Sequence, residues 1–112
     1  MNKDQIISSM NELAKDINTT GVEKGWWDTP RNDGEMIALA HSELSEALEA
    51  LRNGNPPDDK VPQFSGVEAE LADVIIRILD MSWGRGWKTI EAVIAKAEYN
   101  KTRARKHGGK AF

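Results

Sequence analysis

The sequence predicts an all-α fold, four helices packed as an antiparallel bundle, in a single domain spanning residues 1–112. Three observations predict it. Apolar residues recur at helical spacing in four separate runs. Glycine, proline and capping residues punctuate the chain between those runs. No alternating β-branched run bounded by hairpin turns competes with them.

The first helix is expected from about Asp4 to Asn18, with Ile6, Met10, Leu13 and Ile17 on one face and Thr19-Thr20-Gly21 ending it. From Gly21 to Arg31 the pattern breaks, and Lys24-Gly25-Trp26-Trp27-Asp28-Thr29-Pro30 has turn chemistry. Adjacent residues point in different directions, so the two indoles are not expected to share one core pocket. Either one packs on the bundle while the other covers a loop, or the segment offers a platform for a nucleobase.

The second helix is expected over Asp33–Arg52. Asn53-Gly54-Asn55-Pro56-Pro57 stops it, because Gly supplies a positive φ and two prolines forbid continuation. A polar, proline-rich loop follows to Gln63. Ser65 and Glu68 have capping-box spacing, which starts a third helix near Gly66 that continues to about Trp83, with Gly84 and Gly86 ending it. Thr89 is the expected N-cap of the fourth, whose apolar face is Ile90, Val93, Ile94 and Ala97 and whose end is near Ala104. The tail, about 105–112, is basic and flexible in composition.

Composition narrows the class of function. With no cysteine there is no disulfide framework and no thiolate ligand or nucleophile, which suits a reducing compartment. No apolar run approaches the roughly 20 residues of a membrane span, and Met1-Asn2-Lys3-Asp4 shows no signal-peptide pattern. A cytoplasmic protein is expected. Residues 1–95 hold 17 of the 18 acids and 9 of the 15 bases, whereas residues 96–112 hold 6 bases and one acid. An acidic body with a short basic end does not suit a nucleic-acid polymer, which wants a broad basic face.

The chemistry lies in two nearly repeated stretches, Ser42-Glu43-Leu44-Ser45-Glu46-Ala47-Leu48 and Ala69-Glu70-Leu71-Ala72-Asp73-Val74-Ile75. On a helical wheel, Ile37, Leu44, Leu48 and Leu51 cluster as the expected core stripe of the second helix. Leu71, Ile75 and Ile78 do the same on the third. Glu43 and Glu46 fall about 100° and 160° from Leu44, and Glu70 and Asp73 fall at the same angles from Leu71. The third helix is apolar over more than half its circumference (Val74, Ile75, Ile76, Ile78, Leu79), so acids on it are expected to be shielded. Grouped carboxylates out of water repel one another and lose hydration, a cost of several kcal/mol per ion unless a cation offsets it. An oxygen-only ligand set favours Mg²⁺, with Mn²⁺ as a substitute. The competing reading makes both pairs rim charges bridged to Arg52, Arg77 or Lys96.

Glu49 and Asp80, farther from the stripes, are expected as solvent charges, and His41 as a packing residue on the core side. Lys96, Asn100 and Arg103 share a face of the fourth helix and could reach phosphate oxygens. A solvated basic helix end is the alternative. Gly84-Arg85-Gly86 is too short for a phosphate-binding loop.

Glu43-x-x-Glu46 followed by Glu70-x-x-Asp73 resembles the signature of the all-α nucleoside triphosphate pyrophosphohydrolases, the MazG-like superfamily. Gly25-Trp26-Trp27, Tyr99-Asn100-Lys101-Thr102-Arg103 and His107-Gly108-Gly109-Lys110 match its small single-domain members. The resemblance implies Mg²⁺-dependent hydrolysis of a (deoxy)nucleoside triphosphate to the monophosphate and pyrophosphate. It implies Glu43, Glu46, Glu70 and Asp73 as metal ligands, and Lys96, Asn100 and Arg103 near phosphate and sugar. Trp26, Trp27 and Lys24 would border the base, and assembly would be a homodimer or homotetramer with sites completed near the interface. Two other readings are kept: a non-catalytic helical dimerisation module, and a phosphoribosyl-ATP pyrophosphatase within the same superfamily.

Overall fold

The computed structural model describes residues 2–103, with four helices: α1 (Lys3–Glu23), α2 (Asp33–Arg52), α3 (Gly66–Arg85) and α4 (Thr89–Lys101). No strand occurs among the described residues, and one isolated bridge joins Pro57 to Ser65. The basic tail and the expected helix end at Ala104 lie outside the described residues.

The strongest local signals hold. α2 has the bounds its punctuation predicts, and the Asn32 side chain caps it by accepting from the Glu35 N–H. α3 opens with the capping box, in which Ser65 and Glu68 each accept from the other's backbone N–H. The loop between them is braced internally. The Asp58 carboxylate accepts from the Lys60 and Val61 N–H groups, and Asn55 Oδ1 accepts from the Val67 N–H.

α1 overruns its expected end by five residues. Gly21 does not stop it; it is buried against Trp26, and a Cβ there would lie 2.8 Å from the indole ring. The stop is Gly25, at φ +87°, where the Trp26 N–H returns to the Gly21 carbonyl and the Gly25 N–H to Val22. That is the two-bond helix terminus a left-handed glycine permits. Gly84 is likewise inside α3, which runs on to Arg85. Thr89 is the first residue of α4 rather than its cap, and its hydroxyl accepts from Ser82 Oγ at 2.7 Å.

α2 and α3 pack antiparallel. Asp33 at the start of α2 is paired with Arg85 at the end of α3, while Gly66 at the start of α3 abuts Ala50 near the end of α2. α1 packs on α3 and on α4. Ala14, Leu79 and Ile90 form one core with Ile7, Met10 and Ile17 around it; Met36, Ala40 and Met81 form another with Trp27 and Ile78.

The inward faces of α2 and α3 differ from the expected stripes. Met36, Ala40 and Ala47 are the buried residues of α2, whereas Ile37, Leu44, Leu48 and Leu51 are each about half exposed. On α3, Val74, Leu79 and Met81 are buried, while Leu71 and Ile75 are exposed. Alanines at positions 40, 47 and 50 let the two backbones approach closely, so the small-residue face turns inward and the leucine stripe is left outside. His41 follows that stripe and is exposed, not packed. Leu13 and Val93, expected inside, are also exposed.

Candidate active site

With the alanine face inward, Glu43 shares the inner side of α2 with Met36, Ala40 and Ala47 and points at α3. Glu70 and Asp73, one turn apart on α3, meet it. Glu43, Glu70 and Asp73 each place a carboxylate oxygen within 4.8 Å of the others. Glu46 is exposed and outside this trio, though its charge still acts on Glu70. The two helices therefore aim three of the four expected ligands at one another directly.

The cluster is electrostatically strained. Burial pushes the Glu70 carboxyl up to about 7, helped by a hydrogen bond with Glu43 and by the charges of Asp73, Glu43 and Glu46. Asp73 is also raised, first by burial and then by Glu43; Arg77 and Lys60 oppose the rise. Arg77 is the guanidinium bonded to the cluster, with Nε and Nη2 each 3.0 Å from Glu43 Oε1. Of the bases considered as partners for the acids, Arg77 is thus engaged with Glu43, while Arg52 pairs with Glu49 on the surface.

Glu43, Asp73 and Arg77 line a cavity of about 490 Å³ together with Trp26, Arg31, Met36, Ile76 and Asp80. A second hollow of about 700 Å³ lies between the braced loop and α3, shared by Phe64, Val61, Asp58, Glu70 and Asp73. Asp73 borders both.

Asp80 is not a solvent charge. It is 3 % exposed. Trp27 Nε1 donates to its Oδ1 at 3.0 Å and its Oδ2 at 3.2 Å, Asn18 Nδ2 donates to Oδ1 at 3.0 Å, and Arg31 Nη1 to Oδ2 at 3.2 Å. The guanidiniums of Arg31 and Arg85 lie over the Trp27 ring, 4.8 and 5.5 Å from its centre. The ring also lies over Gly84, where a Cβ would come within 2.5 Å. The adjacent tryptophans have separate roles: Trp27 is locked into the frame, and Trp26, half exposed, walls the cavity.

The remaining expected site residues are not brought to the cleft. Lys24 is exposed and lines neither hollow. Lys96, Asn100 and Arg103 are exposed on and just beyond α4, which packs on α1 and contributes to neither hollow. Three more charged residues line the cavity: Arg31, which no sequence expectation singled out; Arg77, expected only as an alternative partner for the acids; and Asp80, expected as a solvent charge. Their signal was present: all stand near the acids or the tryptophans in sequence, and Asp80 is seven residues, two helical turns, beyond Asp73.

Compared with protein-family models, curated proteins and solved structures, the chain matches none. No helix among the described residues is long and apolar enough to cross a membrane.

Proposed function

We propose that the protein is a Mg²⁺-dependent nucleoside triphosphate pyrophosphohydrolase of the MazG-like kind, converting a (d)NTP to the (d)NMP and pyrophosphate. The observation that carries this reading is the convergence of Glu43, Glu70 and Asp73 from two helices, with Glu43 and Asp73 lining a cavity that also holds a guanidinium and an indole wall. The donor set fits a hard dication: all oxygens, with Glu43 and Glu70 partly buried, Asp73 exposed, and the Glu70 carboxyl pushed up to about 7. Glu43, Glu70 and Asp73 would hold the ion, with Glu46 completing the set from the rim. Mg²⁺ bound there would supply charge neutralisation for the phosphates and a more acidic water. The chain's own residues would orient the substrate: the Trp26 face against the base, and Arg77 and Arg31 against the anionic end.

Pyrophosphate, not orthophosphate, is the expected product from at least one nucleotide in a panel of canonical and modified dNTPs, only when Mg²⁺ or Mn²⁺ is present. Glu70→Gln should lose activity by at least about a hundredfold, as expected when a residue that organises the reacting groups is removed. A panel with no pyrophosphate release, or an unimpaired Glu70→Gln, would overturn the assignment.

The reading includes a homo-oligomer, a dimer or a tetramer. Ile37, Leu44, Leu48 and Leu51 of α2 and Leu71 and Ile75 of α3 leave an apolar stripe outside the single chain, the kind of surface that marks an interface. Lys96, Asn100 and Arg103 would then reach a phosphate from a second copy, since their own cleft excludes them. Sedimentation should give a mass above the monomer's 12.5 kDa, and Leu44→Lys combined with Leu48→Lys should reduce it to the monomer. A monomeric wild type would remove this part of the proposal.

A further inference from the structure

Arg77 stands one turn beyond Asp73 on the inner face of α3 and lines the cavity. Its guanidinium makes its two short contacts to a single oxygen, Oε1 of Glu43. A guanidinium can instead spread two N–H groups across both oxygens of a carboxylate, or two of a phosphate. The Glu43 pairing therefore leaves much of Arg77's donor capacity unused. Its side chain is 36 % exposed, against 16 % for Glu43, so the arginine is the less enclosed partner of the pair.

Resting on the function proposed above, we propose that Arg77 is an exchangeable counter-ion. It holds Glu43 while the acids carry no metal, and turns its N–H groups onto phosphate oxygens of the nucleotide once the acids hold a dication. Charge drives the exchange. Glu43, Glu70 and Asp73 need positive charge in their midst, and Arg77 supplies one unit from the edge. A dication supplies two from the centre, so the acids no longer depend on the guanidinium. An arginine released at the edge of the cavity of about 490 Å³ that it lines can then make a bidentate anion contact. A purely structural ion pair would be expected to stay closed and to position Glu43 throughout.

The two roles predict different signs. Arg77→Ala and Arg77→Lys are compared with wild type by calorimetric titration, first with Mg²⁺ or Mn²⁺ alone, then with a nonhydrolysable triphosphate at saturating metal. Circular dichroism and thermal unfolding confirm that each variant is folded. With Arg77→Ala, exchange predicts metal binding tightened several-fold, because the ion no longer displaces a guanidinium. It predicts triphosphate binding weakened by at least about tenfold, the scale of one lost charge-assisted contact. Arg77→Lys, which keeps the charge but not the fork, should bind metal like wild type and triphosphate less well. Weaker metal binding in Arg77→Ala would make Arg77 a fixed support for Glu43 and overturn the exchange. Tighter metal binding with unchanged triphosphate affinity would overturn its phosphate role. Failure of the function itself looks different: wild type would then bind neither metal nor triphosphate.

Discussion

Asp80→Ala is expected to destabilise the protein by about 3–5 kcal/mol, the usual cost of removing one partner from a buried charged network. The carboxylate ties together Asn18 of α1, Trp27 and Arg31 of the α1–α2 connection, and α3 itself. Without it the Trp27 N–H and the Asn18 amide lose their shared acceptor, and the largely buried Arg31 loses its counter-charge. A domain of this size has a total stability of roughly 5–15 kcal/mol, so the loss is a large share of the whole. Urea unfolding should show a lower midpoint with little change in slope. Asp80→Asn separates shape from charge. It keeps an acceptor for Trp27 but turns a donor toward Arg31 or Asn18, and should lie between wild type and Asp80→Ala. A midpoint for Asp80→Ala within error of wild type would show that the network does not hold the fold.

The second large effect is a pH dependence carried by Glu70. Its folded carboxyl titrates near 7, above its ordinary 4.5. The folded state therefore binds the proton more tightly than the unfolded chain does. Stability is at its fullest below about 4.5, falls as pH rises from there through 7, and levels off above. The full difference corresponds to about 3 kcal/mol, and solvent access to the cleft reduces it to roughly 1–2 kcal/mol. Asp73, also raised, adds in the same direction. In chelator, thermal unfolding temperatures should fall between pH 5 and pH 8. Glu70→Gln should flatten most of that slope, because its side chain is uncharged throughout.

Mg²⁺ should flatten the slope in wild type as well, by replacing the proton and favouring the ionised carboxylate. Metal binding at pH 7 should then release a fraction of a proton, seen as a calorimetric heat that depends on the ionisation enthalpy of the buffer. A metal-free slope that survives in Glu70→Gln would assign the effect to another group.

Much of the architecture was legible from local chemistry. The Asn-Gly-Asn-Pro-Pro stop and the Ser65–Glu68 box are short-range signals, and α2 and the start of α3 fall where those signals place them. The convergence of Glu43 with Glu70 and Asp73 was legible because both pairs recur at matched helical angles. What the pattern could not say is which face of α2 and α3 turns inward. A wheel shows a leucine stripe but not its partner, and here the alanines face α3 while the leucines face away. Glu46 was grouped with Glu43 for the same reason; moving the inward direction onto Glu43 carries Glu46 to the rim. Asp80 was missed because its partners, Asn18, Trp27 and Arg31, are 49 to 62 residues away. The shielding argument applied to Glu70 held equally for an acid further along the same apolar helix. Gly21 looked like a terminator because a helical glycine costs about 1 kcal/mol relative to alanine; here that glycine accommodates an indole.

Gly21 and Gly84 together define a mould. One helix leaves out a side chain where Trp26 rests, and another does so beneath Trp27. The position of the Trp26 wall of the cavity is therefore dictated from behind, by the hydrogen at Gly21, and the seat of Trp27 in the frame by the hydrogen at Gly84. Adding a single methyl at either place would force a ring to shift, so the wall that Trp26 gives the cavity can be reshaped by a substitution hidden in the helical scaffold.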